Sequence, residues 1–319
     1  MKSYSKFGPL LLSGLFIASY GGGGSSSSTP VATGGGTPPP PPTTAAPEPV
    51  LISDIEFTQA ATQSGSLPLL LDIYQPDSSC TENRPTVLFV HGGGFVSGDK
   101  TSSDIIRLAE AVNERDFNFV SIQYRLFGDG PVLSAPFQAI SDEFLPLTPI
   151  TDRILLDAAV AATEDTVTAL SWMEENADEF CLDTSNLAYW GFSAGAITVL
   201  QVAYGLNEFG ITRPEPKVVV EYAGDLFRDT DLEFRDAPLF ILHGNDDDVV
   251  PYNGALELED QATTAGVPFA FYTVDGGGHG FDVTTIEANG ITLLDQTINF
   301  IEAHLVGGLP DYVTVTVTE

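Results

Sequence analysis

The strongest constraint on the fold is an alternation: short β-type runs recur along the chain, separated by stretches of helical spacing. "TVLFV" at residues 86–90 is a near-continuous apolar run, and "FNFVSIQYRL", "NLAYW", "KVVVEYAG", "LFILHG" and "FAFYTVDG" follow it. Such runs, rich in valine, isoleucine and aromatics and punctuated by glycine, read as strands. Between them lies "DIIRLAEAVNERD", with apolar residues at Ile105, Ile106, Leu108, Ala109 and Val112. Residues 157–176, "AITVLQVAYGL" and "LLDQTINFIEAHL" also read as helices. Strands alternating with helices predict an α/β fold, a mostly parallel central sheet with helices on both faces. In such a sheet chemistry gathers beyond the carboxyl ends of the strands. Residues 52–57 and 69–74 read as two further strands joined by a Gly/Ser turn. Residues 127–152, with Pro131, Pro136, Pro146 and Pro149, read as irregular and as a possible mobile cap. The tail "DYVTVTVTE" alternates like a strand, with no partner assigned to it.

The two ends of the chain differ from this middle. Lys2 and Lys6 precede the apolar run "LLLSGLFIA", which is too short to span a bilayer as a mature helix and reads as an export signal over residues 1–20. "IASY" followed by glycines resembles a bacterial lipobox in which Tyr20 stands where cysteine would carry lipid. Residues 21–49 are Gly, Ser, Thr and Pro with almost no hydrophobe, the composition of a linker. Residues 50–306 then form one domain, with 307–319 as a tail. With 44 acidic and 12 basic residues the formal net charge is −32, a surface that repels nucleic acid and anionic lipid. Hydrophobic residues make up 43% of the chain, enough for a sizeable core, so the acids do not signal disorder.

Within this alternation, "GFSAG" at residues 191–195 puts a serine between two glycines where a strand gives way to a helix. A bare turn is one reading. The other is a nucleophile elbow, which needs that strand–turn–helix context, with Ser193 at a helix N-terminus that favours negative charge. Serine needs a base. Of the four histidines, His304 lies in the last helix, His243 ends a strand, and His91 sits in a glycine turn. His279, in "DGGGHGF" after the last core strand, lies on the strand-end face that carries Ser193. A carboxylate must orient that histidine, and "HGNDDDVVP" supplies three adjacent candidates in Asp246, Asp247 and Asp248. The same loop lacks the glycine and distal glutamate of an EF-hand. "HGGGF" at residues 91–95 exposes backbone amides of the kind that stabilise an oxyanion.

Together "LLLDIYQP", "HGGGFVSGDK", "YRL", "GFSAG" and "HGNDDDVVP" resemble the α/β-hydrolase carboxylesterases with an HGGG oxyanion loop. That group includes hormone-sensitive-lipase-like esterases and bacterial feruloyl and acetylxylan esterases. The resemblance covers about residues 52–305 and departs at Phe192, where many relatives carry an acid, at Ala196, where they carry a second glycine, and after "YRL". It implies a serine ester hydrolase with Ser193 as nucleophile, His279 as base and Asp247 as the orienting acid, since the family's acid follows its HG dipeptide at that spacing. It implies oxyanion N–H groups from Gly93, Gly94 and Ala194. It implies no metal or organic cofactor, and as partner a small-molecule or polymer-borne ester, with no nucleic acid and no transmembrane segment in the mature chain. A serine peptidase on the same fold is the nearest rival, and a catalytically silent binding module a more distant one. In that fold the strands leading to the oxyanion loop and to the nucleophile are parallel neighbours. The chain's two cysteines, Cys80 and Cys181, precede those strands, so the resemblance pairs them as a disulfide, in keeping with export to an oxidising compartment.

Overall fold

The computed structural model describes residues 49–145, 153–226 and 232–318. The expected export signal and nearly all of the expected linker lie outside the described residues, as does the end of the 127–152 segment. The strands are β1 (Val50–Thr62), β2 (Gly65–Gln75), β3 (Arg84–Val90), β4 (Asn118–Ile122), β5 (Leu182–Phe192), β6 (Val218–Tyr222), β7 (Leu239–Gly244), β8 (Phe269–Asp275), the short pair β9 (Glu287–Ala288) and β10 (Ile291–Thr292), and β11 (Thr314–Thr318). The helices are α1 (Ser103–Asn113), α2 (Ala135–Phe144), α3 (Arg153–Glu175), α4 (Ala194–Tyr204), α5 (Asn253–Ala265) and α6 (Leu293–Glu302).

Among the described residues one nine-stranded sheet runs in the order β1-β2-β4-β3-β5-β6-β7-β8-β11. β1 and β2 form an antiparallel hairpin, β2 pairs antiparallel with β4, and every later pairing is parallel. Alternate residues of each strand face opposite layers. Leu88, Val90, Leu187, Tyr189 and Val219 pack into the core that also holds α3, α4 and α5. Val87, Phe89, Ala188, Trp190, Val218 and Val220 pack into the core beneath α1 and α6. Both faces are covered, so the central strands are largely apolar on both sides, with buried polar exceptions such as Ser121, Glu221 and His243. The expected α/β sheet with helices on both sides is the one observed.

Two expectations change. The segment 127–152 is not irregular throughout: after a 3-10 turn at Phe127–Asp129, α2 occupies Ala135–Phe144. The prolines concealed it. Pro136 sits in the first turn of α2, where a missing N–H costs nothing, and Phe137, Ile140, Ser141 and Phe144 form its buried face. Helix α3 also begins earlier than expected, at Arg153, where the guanidinium bonds Asp157 one turn on and Asp142 of α2. The alternating tail has a partner. β11 pairs in parallel with β8, from Thr314 opposite Phe271 to Thr318 opposite Asp275, and so extends the sheet at its edge.

Cys80 and Cys181 are disulfide-bonded, with their Cα atoms 5.7 Å apart, inside the range such bonds span. The backbone explains the approach. Arg84 of β3 lies opposite Leu182 of β5, and its N–H donates to the Cys181 carbonyl at 2.9 Å. β5 starts immediately after Cys181, several residues before the strand read from sequence.

Candidate active site

Ser193 stands between β5 and α4 with φ 55° and ψ −121°, a conformation that costs a non-glycine residue about 1–3 kcal/mol and persists only where the surroundings impose it. Here they do. The Ser193 N–H donates to the Tyr222 carbonyl of β6 at 2.8 Å, and its own carbonyl accepts the first-turn N–H of Ile197. Gly195 lies so close to β3 that an added Cβ would stand 1.9 Å from the Val90 carbonyl oxygen. A side chain there would push α4 off the sheet and relax the bend. The glycine pattern is thus a close-packing requirement that leaves Ser193 at the positive end of a helix dipole.

His279 reaches Ser193 from the loop after β8. Its Nε2 is 2.8 Å from Ser193 Oγ, and its Nδ1 is 2.8 Å from Asp247 Oδ2. With a carboxylate facing Nδ1, that nitrogen carries the hydrogen, and Nε2 is free to accept the serine proton. Asp247 is buried, whereas Asp246 and Asp248 on either side are exposed. Asp247 Oδ1 accepts the N–H groups of Val249 and Val250 at 2.8 and 2.9 Å. Burial alone would raise its pKa, but hydrogen bonds from His243 and His279 and the His279 charge hold the carboxyl well below its usual range. The loops carrying Asp247 and His279 are tied together, since the Asp246 N–H donates to the Gly277 carbonyl at 2.9 Å.

The glycine loop after β3 packs onto this group. A Cβ on Gly92 would lie 3.2 Å from Ser193 Cβ and 2.7 Å from the Phe192 ring. The Gly93 carbonyl accepts N–H groups from Val96 and Ser97, each at 3.1 Å, and among the described residues none of the loop hydrogen bonds uses the N–H of Gly93, Gly94 or Ala194. The loop is braced at both ends. Tyr124 stacks on the His91 ring at 4.3 Å and donates to the His91 carbonyl at 3.0 Å. Lys100, nearly buried, reaches Asp54 at 2.9 Å and Asp72 at 2.7 Å on the first two strands. The arginine of "YRL" is a brace of the same kind. Arg125 Nε contacts both oxygens of Asp165 at 3.0 Å, and its Nη1 donates to the carbonyls of Ala61 and Val132. That anchors the segment entering α2.

Ser193, His279 and Asp247, with the glycine loop, therefore meet at one end of the parallel strands. His304 lies elsewhere, bonded to the Phe300 carbonyl and to Tyr312. His91 and His243 are buried supports, with burial holding the His91 pKa low. Phe192, one of the departures from the family pattern, lies with its ring 5.3 Å from that of His279. Among the described residues no group of three or more His, Cys, Asp or Glu is placed to hold a metal ion. Sequence patterns did not single out Glu221 or His243, though His243 lies 3.2 Å from Asp247 and Glu221 is buried on the neighbouring strand; the "HG" that opens the Asp247 loop was the available signal.

Known proteins agree with this architecture. The BD-FAE family matches residues 71–142 and 150–233, and the prolyl oligopeptidase family matches residues 213–307. Human carboxylesterase 3 is 30% identical over 46% of this chain and 23% of its own, and the para-nitrobenzyl esterase of Bacillus subtilis 27% identical over 48% and 27%. The chain thus spans about a quarter of the length of these curated relatives. Among solved structures, a truncated carbohydrate esterase from gut microbiota superposes with a TM-score of 0.58 at 16% identity, covering 83% of this chain and 99% of that one. Thermogutta terrifontis esterase 2, in a form phosphorylated by paraoxon, superposes with a TM-score of 0.59 at 16% identity over 83% and 97%. The chain is an α/β-hydrolase-fold protein whose relatives in sequence include carboxylesterases.

Proposed function

We propose that this protein is a serine carboxylic-ester hydrolase working through an acyl-enzyme. The observation that carries the reading is the continuous hydrogen-bonded chain from Ser193 Oγ through His279 to Asp247, with 2.8 Å at each link. Ser193 Oγ attacks the ester carbonyl carbon while its proton passes to His279 Nε2. The resulting oxyanion lies against the N–H groups of Gly93, Gly94 and Ala194. The tetrahedral species collapses, the C–O bond to the alcohol breaks, and His279 returns the proton to the departing oxygen. Water, deprotonated by His279, then releases the acid and restores the serine. Asp247 holds the imidazole in the tautomer that both steps need. No metal or organic cofactor enters this scheme. The substrate is a small or polymer-borne ester, a choice supported by the esterase relatives and the carbohydrate-esterase neighbour.

The prolyl oligopeptidase match over residues 213–307 favours one second reading, peptide-bond cleavage by the same residues. A panel of p-nitrophenyl esters, acetylated sugars, feruloyl esters and peptide amides separates the two. The ester reading expects turnover of the esters at least 10²-fold above the amides, and the reverse order would replace it. Ser193→Ala is expected to lower kcat by a factor on the order of 10⁶. A purified, folded Ser193→Ala protein with wild-type turnover would remove the mechanism. The proposal places the enzyme outside the cytosol, free of nucleic-acid partners, with residues 1–20 as export signal, 21–49 as tether and 50–306 as catalytic domain. The disulfide supports that placement, and among the described residues no helix is long and apolar enough to cross a membrane.

A further inference from the structure

His243, the next-to-last residue of β7, is fully buried. Its Nε2 lies 2.8 Å from the Val250 carbonyl oxygen and 3.2 Å from Asp247 Oδ2. A ring nitrogen set between two acceptors carries hydrogen, so His243 donates to Asp247. The acceptor is Oδ2, the same atom that takes the His279 N–H. With the Val249 and Val250 N–H groups on Oδ1, every approach to this carboxylate is filled, and one of its four donors is a second imidazole.

The other side of His243 is less complete. Its Nδ1 is buried without a hydrogen-bond partner among the described residues. Glu221, on the neighbouring strand β6, is also fully buried; its Oε2 accepts the Gly224 N–H at 2.7 Å and its Oε1 has no partner among the described residues. Each group lies in the other's electric field. Burial pushes the Glu221 carboxyl up to about 7, against the pull of His243 and the Gly224 N–H. Burial also opposes charge on His243, but the hydrogen bond to Asp247, the Glu221 charge and the Val250 carbonyl together raise its pKa. The other titratable groups facing this pair are Asp225 after β6, Asp247, His279 and Tyr252, whose ring is 5.9 Å from that of His243. Apolar side chains of similar volume would serve packing better than two polar groups with unspent atoms.

We propose that His243, backed by Glu221, is a positioning residue for the reaction: it shares Oδ2 of Asp247 with His279 and thereby sets the orientation and basicity of the imidazole that activates Ser193. The proposal rests on the esterase reading. The His243 bond keeps Asp247 ionised and still while the proton moves from Ser193 Oγ to His279 Nε2. Glu221, buried on the neighbouring strand, holds its proton below about pH 7 and so adds no negative charge to that pair over the acid limb.

The test uses the full chain with p-nitrophenyl acetate as substrate, diethyl p-nitrophenyl phosphate as a label for Ser193, and thermal midpoints throughout. His243→Leu removes the donor and is expected to lower kcat by about 10- to 100-fold with KM within twofold, since small errors in reacting geometry cost that much. His243→Gln places an amide N–H near the same point and is expected to recover most of that loss. Glu221→Gln replaces a carboxyl that is protonated below about pH 7 with a neutral amide of the same shape, and is expected to leave the acid limb of kcat/KM within about 0.2 pH unit of wild type. Equal kcat for the Leu and Gln variants overturns the proposal. Should His243→Leu fail to fold, His243→Asn, whose shorter amide stops short of Asp247, takes its place beside His243→Gln. Absence of label on wild-type Ser193 refutes the esterase reading itself. Labelling of Ser193 in His243→Leu at the wild-type rate refutes only the role of His243.

Discussion

At residues 246–248 three aspartates stand in a row, chemically identical along the chain and different in surroundings. The central side chain is buried and bonded to His279, and its two neighbours face solvent. The difference predicts an ordering. Asp247→Asn is expected to lower kcat by a factor on the order of 10⁴, because an amide in that position favours the wrong imidazole tautomer. Asp246→Asn and Asp248→Asn remove only exposed charge and are expected to leave kcat within about threefold, as surface substitutions usually do little. Steady-state kinetics on the three purified variants settles the order, and a neighbour more damaging than Asp247 would show that the carboxylate in contact with His279 is not the one that matters.

Among the elements, β5 connects the two ends of the molecule's chemistry. The disulfide enters at its start and Ser193 follows its end, separated by a strand about 35 Å long at the usual rise per residue. The bond closes a loop of 101 residues, for which the chain-entropy model allows up to about 4.7 kcal/mol. Cys80→Ser with Cys181→Ser is therefore expected to lower the midpoint of urea unfolding while kcat/KM at room temperature stays near wild type. A large loss of turnover without a loss of stability would contradict that separation. Helix α2 raises the second question at this scale. The Phe127 N–H donates to the Phe95 carbonyl of the glycine loop at 2.7 Å, so the segment leading to α2 adjoins the site. We propose that the described part of the 127–152 segment, residues 127–145, covers the acyl side of the substrate. Excising α2 and rejoining the chain is expected to shift preference along a series of p-nitrophenyl esters from acetate to octanoate. An unchanged profile in a folded deletion would leave α2 as packing for α3 alone.

For the molecule as a whole, buried titratable groups tie stability to pH, and Glu221 and His243 pull the same way. Glu221 is pushed up to about 7 by burial, and His243 is raised by its bond to Asp247 and the Glu221 charge despite burial. In both, the folded state holds a proton that the unfolded chain releases more readily. Their contribution is thus fully present below the unfolded pKa values, about 4.3 and 6.5, and is lost as pH rises through the folded ones. Asp247 has the opposite sign: its depressed pKa gives stability above about pH 4 that disappears in acid. The thermal midpoint of Glu221→Gln is expected to slope downward less than that of wild type between about pH 5 and pH 8. A steeper slope in that variant would reverse the assignment. A net charge of −32 adds self-repulsion that salt screens. The midpoint is therefore expected to hold or rise between low and molar NaCl, and a steady fall would exclude a screening benefit.

What the sequence determined by itself is whatever depends on neighbours along the chain. Hydrophobic period marked the strands and helices, because side-chain direction repeats with backbone geometry over a few residues. Glycine spacing around Ser193 marked the bend, because the close approach of α4 to the sheet leaves no room for a Cβ. The family resemblance carried the selection of Asp247 and the cysteine pairing, neither of which periodicity reaches. Tertiary structure alone decided the rest. It made α2 a helix by giving Phe144 the Phe209 ring to pack against, where prolines had suggested a loop. It gave β11 the exposed edge of β8 as a hydrogen-bonding partner. It placed Glu221 and His243 behind Asp247, an arrangement of adjacent parallel strands that neither strand's sequence encodes alone. Burial and long-range pairing exist only once distant segments meet, and those two quantities separate the buried carboxylate from its exposed neighbours.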